Sequence, residues 1–378
     1  MPQLVVITEQ LLATVPGGTG RYTRELTGAL ARTAPPRWRV TTVVARHRDS
    51  TGTLAAIPGV DGPRVLPLSP RALVAAWDRG LPLWPGGDSV HAPTPLAPPR
   101  PNRGRSLVVT VHDAVPWTHP HTLTERGVRW HQRAVTRAAK RASALVVPTG
   151  AVAAELSRYA LPAGRVHIVG EGVTPELRAV PDPPAAAAIA ERLRLPPRYL
   201  LIVGTLEPRK GLDVLLDAMT RPHAPALPLV VVGQPGWGAV HPMRLADQAG
   251  LDRARVLALG RISDEELAVV LDRAAVLVAP SLAEGFGLPV LEAMAAGVPV
   301  VHSDAPALIE VAGGTGVTVK RQDATALANG LRTVFDFPER TAARVAAGRL
   351  RAQRFTWERA ARAVWRIHVE LYQTAGRA

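Results

Sequence analysis

Two carboxylates, Glu284 and Glu292, stand eight residues apart in the run Ser281-Leu282-Ala283-Glu284-Gly285-Phe286-Gly287-Leu288-Pro289-Val290-Leu291-Glu292. The apolar run Ala274–Pro280 precedes them, and Pro289 suits the first turn of a helix. The pattern is that of a strand, a glycine-bearing turn and a helix start. At such a start the backbone N–H groups of Phe286, Gly287 and Leu288 have no intrahelical partner and sit at the positive end of the helix dipole, where a diphosphate is well held. Glu284, in the turn beside Gly285, and Glu292, about one turn into the helix, can touch different parts of one extended ligand, and a carboxylate accepts paired sugar hydroxyls. Taken as an isolated pair, the same two residues read as an ordinary turn with solvated glutamates.

A second strand-turn-helix pattern runs through Leu201-Ile202-Val203-Gly204-Thr205-Leu206-Glu207-Pro208-Arg209-Lys210-Gly211-Leu212. Gly204 permits close backbone approach, and Arg209 with Lys210 places two cations where developing diphosphate charge needs them. Adjacent basic residues after a turn are otherwise surface groups. Their place at the carboxyl end of a strand, where open α/β sheets bind ligands, favours the functional reading. Near the N-terminus, Pro16-Gly17-Gly18-Thr19-Gly20-Arg21-Tyr22 lies between the first strand and first helix. Its glycines, Gly17 and Gly18 foremost, would let backbone approach a phosphate or sugar. It lacks the third glycine of a dinucleotide fingerprint. His112-Asp113 follows the strand-like run Leu107–Val111, again at a carboxyl edge. His119 and His121 have neither helical spacing nor a carboxylate set beside them, so no metal site is expected. The loops Gly233–Gly238 and Gly260–Leu267 end strands on the same side; Ser263 with Glu266 is a capping box.

These residues sit on an alternation of short β-branched runs and helix-like stretches, the pattern of parallel α/β sheets. It runs from Leu4–Thr8 through Val40–Ala45, Leu107–Val111 and Leu145–Pro148 to Val166–Val169, then restarts at Tyr199–Val203. Proline-rich and Ala-rich sequence intervenes. We therefore expect a first domain over residues 1–180, a linker over 181–197, a second domain over 198–355, and an amphipathic helix and tail over 356–378. The helix-like stretch Glu125–Ala142 carries Arg126, Arg129, Arg133, Arg137 and Lys140 at spacings of three or four, hence on one face. That face is either solvated or meets an anionic membrane surface or a lipid-linked acceptor.

The Glu284–Glu292 segment resembles the E-x7-E signature of the retaining GT-B glycosyltransferases of family 4, the mannosyltransferase-like group 1 glycosyltransferases, and the resemblance extends along nearly the whole chain. It implies an α/β fold of two Rossmann-like domains facing a central cleft, with the C-terminal helix packing back towards the N-terminal domain. It implies acceptor binding by the first domain and nucleotide-sugar binding by the second. The residue matching Glu284 then lies beside the transferred sugar, and the one matching Glu292 on the ribose hydroxyls. The backbone around Ile262 flanks the base, and Gly204, Arg209 and Lys210 belong to a diphosphate loop. Gly17 and Gly18 close on the donor, and His112 bonds the sugar or orients the acceptor. Glu284, His112, Arg209 and Lys210 are the expected catalytic set, and Gly285, Phe286, Gly287 and Leu288 join the donor site. Retention implies front-face displacement, with no cofactor and no metal: Arg209, Lys210 and the helix dipole take the metal's place. The strings around Gly204 and His112 are similar to those of mannosyltransferases, which points to GDP-mannose and a glycan or lipid-linked acceptor. Other readings are a transferase using UDP- or another nucleotide sugar, a nucleotide-sugar epimerase, and a non-catalytic nucleotide-binding partner subunit.

Composition narrows the field further. A chain of 378 residues suits two domains. The absence of cysteine excludes disulfides, thiolate metal sites and a cysteine nucleophile. The net charge of +14 favours an anionic partner, although a base-biased genome also yields Arg-rich chains. Aromatics amount to 4% and do not interleave with the basic stripe, so nucleic acid is not expected as a partner. No apolar run reaches the length of a membrane span, and the N-terminal run reads as a first strand and not a signal peptide. A cytoplasmic protein, peripheral at the inner face of the membrane, is the resulting expectation.

Overall fold

The computed structural model describes residues 1–48, 55–159, 165–178 and 181–375. The chain forms two compact units. The first comprises Met1–Pro120, Thr124–Gly172 and Thr356–Ala378; the second comprises His121–Leu123 and Val173–Phe355. The expected boundary at residue 180 and the last three residues of the tail lie outside the described residues.

The first unit is built on a seven-stranded sheet in the order β3-β2-β1-β4-β5-β6-β7. Its strands are β1 (Gln3–Ile7), β2 (Arg39–Val44), β3 (Asp61–Val65), β4 (Ser89–Ala92), β5 (Ser106–Thr110), β6 (Ala144–Val147) and β7 (Val166–Ile168). Every pairing is parallel. Crossover helices cover both faces of such a sheet, so its inner strands read as continuous apolar runs and not as alternations. Val5, Val90, Leu107, Val109, Leu145 and Val147 accordingly form one core with Trp77. The helix Trp357–Ala375 closes this unit. It buries Trp357, Val364, Trp365, Ile367 and His368, and the Trp365 indole donates to the carbonyl of Leu30 on the helix Gly17–Arg32.

The second unit holds a six-stranded parallel sheet in the order β10-β9-β8-β11-β12-β13. Here β8 is Leu200–Val203, β9 Leu229–Val232, β10 Val256–Gly260, β11 Val276–Ala279, β12 Val300–Ser303 and β13 Val317–Val319. Leu200, Ile202, Val231, Val276, Val278 and Val301 fill its core. The segment 181–197, read from its prolines as a linker, contains the helix Pro183–Arg192, capped by the Asp182 carboxylate. Its Ala186, Ile189 and Ala190 pack on Val269, so the segment is part of the second unit. Two alanines and an isoleucine at helical spacing suffice for that contact. Among the described residues no helix is long and apolar enough to cross a membrane.

Candidate active site

The sheet of the second unit changes direction between β8 and β11: chain order runs outward through β9 to β10 on one side and through β12 to β13 on the other. At such a point successive loops diverge and leave a crevice at the carboxyl ends of the strands. The two loops flanking it are those the sequence singled out, Gly204–Gly211 after β8 and Pro280–Gly287 after β11. Together they line one cavity with Lys210, Ser281, Glu284 and Gly287.

Glu284 is the centre of a charged cluster. Its Oε1 accepts from Lys210 Nζ at 2.6 Å and from Ser281 Oγ at 2.8 Å, and its Oε2 accepts from Arg209 Nη1 at 3.0 Å. Arg209 Nη1 also donates to the carbonyl of Ala283 at 2.9 Å, and its Nη2 pairs with Glu207 at 2.7 Å. Burial alone would raise the Glu284 carboxyl, but the charges of Lys210 and Arg209, helped by hydrogen bonds from Lys210 and Ser281, hold it at about 2. At neutral pH it is therefore an anion with no proton to give. Its chemistry is that of a charge partner and hydrogen-bond acceptor. The two cations are also not isolated: Glu207 and Glu284 match them, so the cluster carries no net charge. Glu207 and Ser281 were not singled out from sequence. Glu207 is almost fully buried, and its place two residues before Arg209 is the local sign of its role in the sequence.

The loop bearing Glu284 is fixed at nearly every residue. Leu282 N–H donates to the Arg209 carbonyl at 2.7 Å, Ser303 Oγ donates to the Ser281 carbonyl, and Arg321 Nη1 donates to the Leu282 carbonyl at 3.1 Å while its Nε is held by Asp304 at 2.8 Å. The helix Leu288–Ala296 then begins at Gly287, whose φ of 98° favours glycine and whose missing side chain leaves room for Leu308. Val290 and Leu291 donate back to Gly287 O at 3.0 and 3.2 Å, and Pro289 has no N–H. The amides of Phe286, Gly287 and Leu288 thus lie before the first bonded turn, as expected. Phe286 itself is buried with its ring edge-on to Phe355 at 5.8 Å. Glu292 lies in the second turn of that helix and is 2% exposed.

Ile262 stands apart from this cluster. It is half-buried after β10, at the edge of the sheet, directly before the capping box of the helix Asp264–Asp272. The box is complete: Ser263 Oγ accepts from Glu266 N–H at 3.1 Å, and the Glu266 carboxylate accepts from Ser263 N–H at 2.7 Å.

In the first unit, His112 follows β5 and Pro93 follows β4. His112 Nε2 lies 2.8 Å from the Pro93 carbonyl oxygen, which can only accept, and Nδ1 lies 3.7 Å from a carboxylate oxygen of buried Glu171. Tyr22, on the helix Gly17–Arg32, meets the His112 ring edge-on at 4.6 Å and bonds Thr110 Oγ1 at 3.0 Å. Glu171 was missed from sequence, although it lies between Gly170 and Gly172 just after β7. Gly17 and Gly18, expected in a loop, instead form the exposed first turn of their helix. Gly17 uses its freedom at the helix entry, where its φ of 59° lies in the left-handed region that favours glycine. The turn still presents N-terminal amides.

The basic helix runs Glu125–Arg141 and buries Ala134, Val135, Ala138 and Ala139. Arg126, Arg129, Arg133 and Lys140 are exposed. Arg137 departs from the stripe: it donates to the carbonyl of Trp77 at 2.6 Å and pairs with Asp78 at 2.7 Å, tying down the end of the helix Pro70–Asp78. Arg129 pairs with Glu125 one turn away at 3.8 Å.

Two parallel α/β units, one with a phosphate-compatible helix start beside a buried carboxylate and two cations, define the GT-B class. Residues 16–177 match the model of glycosyltransferase family 4, and residues 187–351 that of the group 1 glycosyl transferases. The O-antigen chain mannosyltransferase B of Escherichia coli is 31% identical over 269 residues, 68% of either chain. The D-inositol 3-phosphate glycosyltransferase of Stackebrandtia nassauensis is 39% identical over 235 residues, 58% of this chain, which spans about half (52%) of that relative. In three dimensions the chain is similar to the sucrose-phosphate synthase of Thermosynechococcus elongatus, with a TM-score of 0.76, 24% identity and coverage of 99% and 100% of the two chains. The chain belongs to the group 1, family 4 glycosyltransferases and is a glycosyltransferase of the GT-B fold.

Proposed function

We propose that this glycosyltransferase transfers mannose from GDP-mannose, with retention of configuration, to a glycan or lipid-linked acceptor. The observation that supports the sugar is the 31% identity to an O-antigen mannosyltransferase over two thirds of the chain. In the second unit, Lys210, Arg209 and the amides of Phe286, Gly287 and Leu288 hold the diphosphate, with Gly204 allowing its approach. Gly285 shapes the turn, Glu292 serves the ribose and Ile262 the base. Because Glu284 already draws on both cations, the diphosphate shares them with a fixed carboxylate. Lys210 offers three donors, of which Glu284 takes one. As diphosphate leaves, its growing charge is met by cations and dipoles already in place, which is how a preorganised site lowers a barrier. Glu284 accepts hydrogen bonds from the transferred sugar and opposes the positive charge that develops at its anomeric carbon.

The acceptor's proton passes to the departing diphosphate, since Glu284, held at about 2 with its oxygens already bonded to Lys210, Arg209 and Ser281, is a poor proton acceptor. In the first unit we assign His112 to the sugar or acceptor and the first turn at Gly17 and Gly18 to the donor. Neither a metal nor another cofactor is required in this scheme. The exposed face of Arg126, Arg129, Arg133 and Lys140 is assigned to an anionic membrane surface carrying the acceptor, which places the enzyme at the inner face of the membrane.

The test is incubation of the protein with GDP-mannose and mannose-terminated acceptors, with NMR analysis of the new linkage. An α-linked product is expected, because GDP-mannose is α-configured. A β-linked product contradicts retention, and a product formed only from UDP-, ADP- or dTDP-sugars replaces the donor while leaving the rest of the scheme. Donor consumed without any acceptor product favours an epimerase.

A further inference from the structure

In the turn Gly285-Phe286-Gly287 only Phe286 has a side chain, so the hold on this stretch of backbone depends on where the phenyl ring is kept. The ring is 4% exposed and meets the Phe355 ring edge-on, with centroids 5.8 Å apart and planes at 70°. Edge-on pairing adds a directional attraction to burial. Phe355 ends the second unit, just beyond the helix Pro338–Ala352, and is itself held from several sides. Its N–H donates to the carbonyl of Ala352 at 3.0 Å, its own carbonyl accepts from Arg178 Nη2 at 3.3 Å, and the Arg351 guanidinium lies over its ring, 5.7 Å from the centroid. Arg351 is fixed in turn. Its Nε donates to the carbonyl of Val311 at 2.7 Å and its Nη2 to that of Glu310 at 2.6 Å. Both belong to the last turn of the helix Pro306–Ala312, where carbonyls end without intrahelical partners and the dipole favours a cation. Gly313, at a φ of 56°, ends that helix and leaves room for the guanidinium.

We propose that Phe355 is a positioning residue for the donor: by holding the Phe286 ring it fixes the amides of Phe286, Gly287 and Leu288 in the arrangement a diphosphate needs. This rests on the assignment of those amides to the diphosphate made above. Phe355 acts through Phe286, and every contact in the chain lies within the second unit. The helix Pro306–Ala312 then grips the turn at two points. Leu308 fills the space beside Gly287, and the carbonyls of Glu310 and Val311 act through Arg351 and Phe355 on Phe286. Such bracing matters at this turn because glycine loses more backbone freedom on ordering than any other residue, and donors stabilise an anion best when they are already aimed.

The experiment compares wild type with Phe355→Ala, Phe355→Leu and Phe355→Tyr in the full-length protein, with thermal unfolding to check that each variant folds. Dissociation constants are measured for GDP, UDP, ADP and dTDP and for the corresponding nucleosides. For the base that wild type binds, Phe355→Ala is expected to weaken the diphosphate about tenfold and the nucleoside less than about twofold, while Phe355→Tyr, which keeps the ring, stays within about twofold of wild type for both. Phe355→Leu keeps apolar bulk without the ring; it is expected to weaken the diphosphate about threefold and carries the comparison should Phe355→Ala fail to fold. A second readout needs no ligand: 15N relaxation of the Phe286, Gly287 and Leu288 amides is expected to show an ordered turn in wild type and Phe355→Tyr and a looser one in Phe355→Ala and Phe355→Leu. Unchanged order of these amides in Phe355→Ala and Phe355→Leu overturns the positioning role, as does weakening of diphosphate and nucleoside by the same factor. Loosened amides with unchanged diphosphate affinity overturn its part in donor binding. A wild type that binds none of the diphosphates, with the amides loosened in the variants as expected, faults the assignment of the turn to a diphosphate and leaves the hold of Phe355 on Phe286 in place.

Discussion

Replacing Glu284 by glutamine removes the anion that Lys210 and Arg209 share while keeping its size. Because the folded-state carboxyl is depressed from an ordinary 4.5 to about 2, its ionisation stabilises the fold fully above pH 4.5 and that contribution disappears as the pH falls through 2. A displacement of that size corresponds to about 3 kcal/mol at pH 7, of which about 0.8 kcal/mol is lost by pH 4 and about 2 kcal/mol by pH 3. The variant loses the whole term at every pH and leaves Lys210 without its carboxylate, which is the expensive way to break a buried pair. For a unit the size of the second one, about 3 kcal/mol is roughly 6–12 °C in midpoint. The assay is calorimetric unfolding of wild type and Glu284→Gln between pH 7 and pH 3. We expect a gap of that size at pH 7 that narrows steadily below pH 4.5, because wild-type Glu284 is then protonated and the variant has nothing to protonate. A gap below about 1 kcal/mol at pH 7, or one that does not change with pH, refutes the electrostatic account of the cluster.

Other consequences follow from single residues. Lys210→Ala and Glu284→Ala should each lower turnover more than about tenfold, in line with about 2–4 kcal/mol of lost transition-state stabilisation, while circular dichroism reports a folded protein; normal rates in both would remove the site from this crevice. Gly287→Ala forces a side chain into a left-handed backbone against Leu308 and should destabilise by about 1–3 kcal/mol; an unchanged melting midpoint would contradict the turn geometry. Arg137→Ala should lose about 1–2 kcal/mol of stability through its bonds to Trp77 and Asp78 without affecting sedimentation on anionic vesicles, whereas Arg126→Glu with Arg129→Glu and Arg133→Glu should abolish vesicle binding and leave stability nearly unchanged. Vesicle binding lost in Arg137→Ala alone would restore it to the stripe.

What the sequence made legible was the part encoded by continuous patterns. The inner parallel strands read as apolar runs because both their faces are covered, and the crevice residues stood out because each loop joins a strand end to a helix start within a few residues. The edge strand β3, Asp-Gly-Pro-Arg-Val, is largely exposed and carries a proline, so no apolar run announces it. The strand β4 contains Ser89 and His91, buried polar groups whose partner, His368, lies far along the chain, so its sequence hides its burial. The same distance hid Glu171: nothing local marks a carboxylate that will meet His112 fifty-nine positions away in chain order. Arg137 fell on the basic stripe by spacing, and only tertiary contact with Trp77 and Asp78 separates it. The mutual neutralisation of Arg209, Lys210, Glu207 and Glu284 was likewise invisible, since residue types give charges but not which of them already have partners.

The central claim, that this glycosyltransferase draws its sugar from a nucleoside diphosphate, is tested most directly by thermal unfolding with GDP, UDP, ADP and dTDP and their sugar conjugates. At 100 times the dissociation constant a ligand adds about 2.7 kcal/mol, a shift of several degrees for a unit this size. The account predicts selective stabilisation by GDP and GDP-mannose that is lost in Lys210→Ala. No shift with any of the nucleotides would contradict it and would leave a fold of this class without its donor.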